Sequence, residues 1–214
     1  MANKHNTLGE QAYLTLRKKV STMGNGSYLS MRQFANEIGI SYTPVREAFL
    51  RLNREGMLKQ IPNVGYFVAS MDISDMLQVF QVRECIEPFV LQKVFPLIEP
   101  KHTKKMREYL NQQLKNLEAE DILQYMKVDI KLHGILIDLI NNQYLKSTYY
   151  MVRDMYMFCS NNIAKNLSHV AYDEHLQLIE AIEAKDEKLS LNLVNIHLEN
   201  AKHRLMNGYT NVNK

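Results

Sequence analysis

The sequence predicts a mainly α fold: a winged helix-turn-helix of three helices and a β-hairpin, followed by an all-α bundle of about six helices. Three observations predict it. Apolar residues recur at helical spacing through most of the chain. The clearest pair of strand-like runs, "MLKQI" and "YFVA", flanks a Pro62-Asn63-Val64-Gly65 turn. Nothing after Asp72 carries strand alternation.

The elements follow in order. "LGEQAYLTLRKKVSTMGNG" places Ala12, Leu16 and Val20 on one helical face and stops at Gly24-Asn25-Gly26. "LSMRQFANEIGI" starts at Ser30 as N-cap, carries Phe34, Ala35 and Ile38 together, and ends at Gly39. "SYTPVREAFLRLNREG" is capped by Ser41 or Thr43 and sets Pro44 in the first turn, where a missing N–H does no harm. Its apolar face is Val45, Ala48, Phe49 and Leu52, and Gly56 ends it. The hairpin then closes residues 1–71 as a winged helix-turn-helix unit. From 72 to 214 the first expected helix is "MDISDMLQVFQVRECIEPFVLQKVF", with Pro88 as a possible kink, and others are expected at about 102–118, 120–140, 143–166, 170–184 and 187–207. The boundary falls near Ser70–Ser74, with no long linker.

Composition narrows the class. With 46% hydrophobic and 23% charged residues, the chain is expected to fold. No apolar run approaches the ~20 residues of a membrane span, and the polar N-terminus lacks a secretory signal. Cys85 and Cys159 form no disulfide framework, fit a cytoplasmic protein, and read as buried thiols. Charge is unevenly spread. Residues 1–71 hold nine Lys/Arg against four Asp/Glu, and the remainder hold seventeen against nineteen. A polyanion partner is therefore expected for the first unit.

The helix starting at Ser41 follows a glycine turn and opens on short polar residues, as does a recognition helix entering the major groove N-terminus first. Ser41 and Thr43 can bond phosphates or simply cap. Arg46 can read guanine or pair with a carboxylate. Arg32 faces the same groove wall, and the turn from Asn63 to Gly65 forms the wing tip. Arg51 and Arg54 are expected at phosphate or solvent.

In the second unit Asp129 and His133 share a helix face four residues apart, beside Val128, Leu132 and Leu136. His175 and His197 stand on two further helices. One carboxylate and three imidazoles suit Zn²⁺, Ni²⁺, Mn²⁺ or Fe²⁺, while the same spacing also suits hydrogen-bonded core histidines. His5, His102, His169 and His203 read as surface residues.

The stretch "LSMRQFANEIGISYTPVREAFLRLNREGMLKQIPNVGYFV" resembles the GntR family of bacterial transcription regulators. The resemblance implies DNA contacts at Arg32, Thr43 and Arg46, and a wing tip at Gly65. Tyr42 stands where the family usually has Arg, and the wing lacks the basic residue often found before its glycine. A bidentate guanine reader is worth ~1–3 kcal/mol of discrimination, so the usual operator preference should change.

The second unit resembles the FCD effector domain of the FadR-like branch. It does so through Arg83 with Glu87, Asp129 with His133, Asn142 with Leu145, Glu174-His175 with Ala181-Ile182, and His197-Leu198. The resemblance implies a divalent metal, Zn²⁺ or Ni²⁺ before Mn²⁺ or Fe²⁺, on Asp129, His133, His175 and His197. It also implies a small carboxylate effector held by the metal and a nearby arginine. Arg83 is the candidate, with an i, i+4 pair to Glu87 as the other reading; Arg153 and Asn195 could complete the pocket. The expected function is a homodimeric repressor on a pseudo-palindromic operator, its DNA affinity set by the carboxylate. A metal-dependent enzyme and a metal-sensing regulator are the alternatives.

Overall fold

The computed structural model describes residues 7–70, 72–160 and 169–212; side chains are described through 157 and from 169 to 207. The chain divides into two compact units, Met1–Met71 and Asp72–Lys214.

The first unit runs α1 (Leu8–Val20), β1 (Tyr28–Leu29), α2 (Met31–Ile38), α3 (Tyr42–Arg54), β2 (Leu58–Ile61) and β3 (Gly65–Val68). The hairpin gains a strand that the sequence reading did not anticipate. β1 pairs antiparallel with β3, giving the order β1-β3-β2. Two residues cannot display an alternation, so β1 carries no periodic signal of its own. Thr7 caps α1 through its hydroxyl, and Ser30 caps α2 in the same way. Gly39 ends α2 at φ 65°, a left-handed position where glycine pays no steric cost.

The predicted apolar faces meet in one core. Ala12, Leu16, Val20, Phe34, Val45, Ala48, Phe49 and Leu52 are all buried. Phe49 stands edge-on to Phe34 at 5.8 Å and to Tyr66 of β3 at 5.1 Å, tying the helices to the wing. Gly65 adopts φ 146°, and a Cβ there would lie 2.6 Å from the Tyr28 ring. The wing tip thus needs glycine for its conformation and for the approach of β1.

The second unit contains α4 (Ile73–Val94), α5 (Pro100–Glu118), α6 (Ile122–Leu139), α7 (Gln143–Ser160), α8 (His169–Glu183) and α9 (Glu187–Val212), with a 3₁₀ turn at Phe95–Leu97. Six helices are therefore present among the described residues, as the sequence predicts. Residues 161–166, expected to extend α7, lie outside the described residues. α4 opens on an Asp72–Asp75 capping box and contains Pro88. Its core face, Ile86, Val90, Leu91 and Val94, packs with Met106 and Leu110 of α5, Leu132 and Leu136 of α6, Tyr149 of α7, and Ile179 and Ile182 of α8. Cys85 departs from expectation: its side chain is exposed, because Ile86, not Cys85, holds the core-facing position. The Cys159 side chain and His5 lie outside the described residues.

Candidate nucleic-acid interface and metal centre

Arg32, Ser41, Tyr42, Thr43 and Arg46 are all exposed, on α2 and the first turns of α3. Ser41 occupies the N-cap of α3, yet its side chain makes no capping bond. Its hydroxyl and the first-turn N–H groups are left for an acceptor such as phosphate. Arg32 and Arg46 pair with no carboxylate among the described residues. Tyr42 is 44% exposed, and its hydroxyl approaches Met31 Sδ at 3.8 Å.

Arg51 corrects the sequence reading. It binds Glu10 and Glu55 at 3.0 Å each, with its guanidinium 3.5 Å from the Tyr13 ring centre. Tyr13 in turn donates to Glu55 at 2.9 Å. Arg51 thus fastens α1 to α3 and is occupied, whereas Arg54 stays exposed, its Nε 3.4 Å from the Leu50 carbonyl.

In the helical unit the three histidines converge. His133 Nε2 lies 3.1 Å from His175 Nε2, and His175 Nε2 lies 3.3 Å from His197 Nε2. A ligand atom from each of the three falls within 4.8 Å of the others. Asp129 stands alongside, its Oδ1 3.6 Å from His175 Nε2 and 3.9 Å from His133 Nε2.

The outer nitrogens show which protons are present. His197 Nδ1 donates to Glu174 Oε2 at 2.8 Å. His175 Nδ1 donates to Gln113 Oε1 at 3.0 Å, and Gln113 Nε2 donates to Asp129 Oδ1 at 2.9 Å. A carboxylate only accepts, so Gln113 must present its amide to Asp129 and its carbonyl to His175. His133 Nδ1 lies 2.9 Å from Glu87 Oε2, close but off the axis of a hydrogen bond. With Nδ1 of His175 and of His197 committed to acceptors, their Nε2 atoms present lone pairs, and His133 Nε2 faces that of His175.

Those lone pairs do not simply take up protons. Burial pushes the His175 imidazole well below the ordinary value of 6.5, and neighbouring His197 and His133 add to this against the pull of Asp129. Burial likewise lowers His197, outweighing its bond to Glu174. Burial opposes the charge on Asp129 and on Glu87. Arg153 and the histidines overcome it at Asp129, and Arg83 with His133 at Glu87, so both carboxyls titrate well below the usual range. Glu174, also opposed by burial, is held at about 2 by His197, Arg204 and Asn200. His175 and His197 are thus held neutral among ionised carboxylates, a donor set for a cation.

The geometry fits a transition metal. With metal–nitrogen bonds of about 2.1 Å, ligands at tetrahedral to right angles lie ~3.0–3.4 Å apart. The two Nε2 separations above fall in that range. His133, His175 and His197 could hold the ion, and Asp129 Oδ1 is near enough to complete a fourth position.

Arg83 makes the i, i+4 pair with Glu87. Its Nε binds Glu87 Oε1 at 2.7 Å, while its Nη2 is buried without a hydrogen-bond partner among the described residues. Among the described residues Arg153 binds Asp129 through Nη2 and its Nε has no hydrogen-bond partner, nor do the buried Tyr149 and Tyr125 hydroxyls. Tyr149 is electrostatically coupled to Glu87, Arg153, Arg83 and Asp129. These donors suit an anion beside the triad. Asn195 does not join them: it is exposed and donates to its own helix at Leu191 O. His102 accepts from Glu99 N at the start of α5, and His169 and His203 are exposed.

Sequence reasoning missed Gln113, Tyr149 and Arg204. Gln113 had a signal: it continues the buried α5 stripe of Met106 and Leu110 at helical spacing, a polar residue where an apolar one is expected. Arg204, which grips Glu174 at 2.7 and 2.8 Å, had none.

These tautomers and shifts set an acid dependence for the metal-free protein. Groups whose folded values are depressed stabilise the fold above their unfolded values and lose that contribution as pH falls. Loss from His175 and His197 should begin near pH 6.5 and grow as the pH falls. Glu174, Glu87 and Asp129 add a further loss below about pH 4.5, Glu174 continuing toward about pH 2. Melting curves in chelator should therefore fall between pH 7.5 and 5.5; a flat profile would show that the histidines are not held neutral.

The chain matches two family models: "Bacterial regulatory proteins, gntR family" over residues 8–68 and "FCD domain" over residues 78–200. It is 25% identical to the HTH-type transcriptional regulator YdhC of Bacillus subtilis, covering 84% of this chain and 83% of that one. It is 23% identical to the HTH-type transcriptional repressor RspR of Escherichia coli, over 92% and 88%. The solved structure of E. coli McbR/YncC superposes with a TM-score of 0.80 at 19% identity, covering 95% and 99%. No described helix is long and apolar enough to cross a membrane.

Proposed function

For a chain that belongs to the GntR family of bacterial transcriptional regulators and carries its FCD domain, we propose a cytoplasmic, homodimeric repressor whose operator affinity is set by a small carboxylate at a metal centre. The family is one of regulators, not enzymes. One observation carries the effector part of this reading: three buried histidines bring one nitrogen each within 4.8 Å of one another, each with its outer nitrogen facing an acceptor. Zn²⁺ or Ni²⁺ suits the imidazole-rich set best. A bound ion would supply a positive charge and open coordination positions for a carboxylate.

The chain's own groups would then do the selecting. Arg83 Nη2 and Arg153 Nε supply buried N–H donors, and Tyr149 supplies a hydroxyl. Together they favour a small anion with further oxygen atoms over a neutral solute. In the DNA-binding unit Ser41 and Thr43 would meet phosphates, Arg46 and Arg32 the groove, Tyr42 a base or phosphate, and Gly65 the wing tip. One recognition helix spans a half-site, so a two-fold dimer accounts for a pseudo-palindromic operator. A carboxylate alters DNA affinity only by binding one state of the protein better than another.

The test uses duplexes that the full chain selects from a random pool. Metal-loaded protein, titrated with a panel of small carboxylates, should change its affinity for these duplexes at least fivefold with one class of them. Chelated protein that stays folded should lose the response. A response that survives chelation would remove the metal from the mechanism.

A further inference from the structure

Two glutamates hold outer histidine nitrogens, and they differ in what else they touch. Glu174 accepts from His197, Arg204 and Asn200, two bonds on each of its oxygens. Glu87 lies between His133 and Arg83: Oε2 is 2.9 Å from His133 Nδ1, and Oε1 is 2.7 Å from Arg83 Nε. Arg83 is the residue with an open, buried Nη2, and Glu87 is itself buried. We propose that Glu87 is a positioning residue that couples anion binding at Arg83 to the ligand strength of His133. This rests on the metal-and-carboxylate reading above.

The physical argument is one of competition for a single carboxylate. In the anion-free state the Arg83 charge draws on Glu87 and weakens what it offers to His133. An anion on Arg83 Nη2 offsets that charge, so Glu87 accepts more strongly from His133 Nδ1–H. A more strongly held Nδ1–H makes Nε2 a better donor to an ion. The His133–Glu87 contact is off the hydrogen-bond axis, unlike that of His197 with Glu174, so it has room to tighten. Linkage requires the reverse effect as well: the ion must strengthen anion binding by the same factor.

The experiment measures Ni²⁺ affinity by calorimetry with and without acetate, a weakly chelating probe, for full-length wild type, Glu87→Gln and Glu174→Gln. Both variants should bind Ni²⁺ ~10–100-fold more weakly, since each loses a partner of a ligand. Acetate should tighten Ni²⁺ binding about tenfold in wild type and in Glu174→Gln, and twofold or less in Glu87→Gln. Equal tightening in all three overturns the proposal, as does absence of tightening in a wild type that binds Ni²⁺. A wild type that binds no Ni²⁺ instead fails the metal reading itself. Should Glu87→Gln not fold, proton–nitrogen NMR of Zn²⁺-loaded wild type decides. Acetate should move the His133 Nδ1–H resonance downfield and leave that of His197 in place; equal movement of both overturns the coupling.

Discussion

Replacing His175 by alanine is expected to empty the metal centre. His175 is the middle member of the triad: its Nε2 lies within 3.3 Å of both partners, and its Nδ1 is the end of the Asp129–Gln113 chain. Removing it takes away one ligand and frees Gln113, and with it the placement of Asp129. The loss in affinity should exceed the ~10–100-fold typical of outer-shell changes. Mass spectrometry of untagged protein should find about one ion per chain in wild type and none in His175→Ala. A variant that keeps its ion would show that these histidines are core residues. A melting curve must accompany the measurement, because His175 is fully buried and alanine leaves a void.

Replacing Arg46 by alanine is expected to separate specific from non-specific DNA binding. Arg46 is exposed one turn into α3 and pairs with no carboxylate among the described residues, so its guanidinium is available without first breaking an ion pair. Loss of a bidentate base contact should cost ~1–3 kcal/mol on the selected duplex, roughly a 5- to 150-fold drop. Random duplexes, bound through phosphates, should lose much less, and the salt dependence should change little. An equal loss on both, with a salt slope lower by about one, would reassign Arg46 to the phosphates. Arg51→Ala serves as contrast. It breaks the α1–α3 fastening to Glu10, Glu55 and Tyr13, so its main effect should appear in melting.

Much of this organisation was legible in the sequence because it is local. Caps, glycine stops and 3.6-residue spacing are read within one element, and they placed α1 to α3, the hairpin and the six later helices. β1 escaped because its partner lies about forty residues away and two residues hold no pattern. The candidate site divides along the same line. Asp129 and His133 share one helix face, His175 and His197 on two further helices could join them as ligands or core histidines, and the resemblance to FCD domains favoured ligands. Their supports come from other helices: Gln113 sits 62 residues from His175, and Arg204 30 residues from Glu174. Such pairings are set by how helices cross, which spacing within one helix does not encode. Arg51 shows the converse. Its place on a basic face suggested an outer partner, but Glu10 on a neighbouring helix claims it.

The acceptors around the triad bear on timing as well as affinity. Each imidazole is buried and approached at Nδ1 by an oxygen from a different helix: α4 through Glu87, α5 through Gln113 and α8 through Glu174. No ring can swing aside to release an ion without leaving an acceptor behind in the interior, and such a loss is costly. If the proposed ion binds, its exchange would be slow and would need local opening of the bundle, while an anion on the open arginine donors could come and go with the rings at rest. The two occupants would live on separate clocks: the ion resident over the lifetime of the fold, the anion following the composition of the surrounding solution.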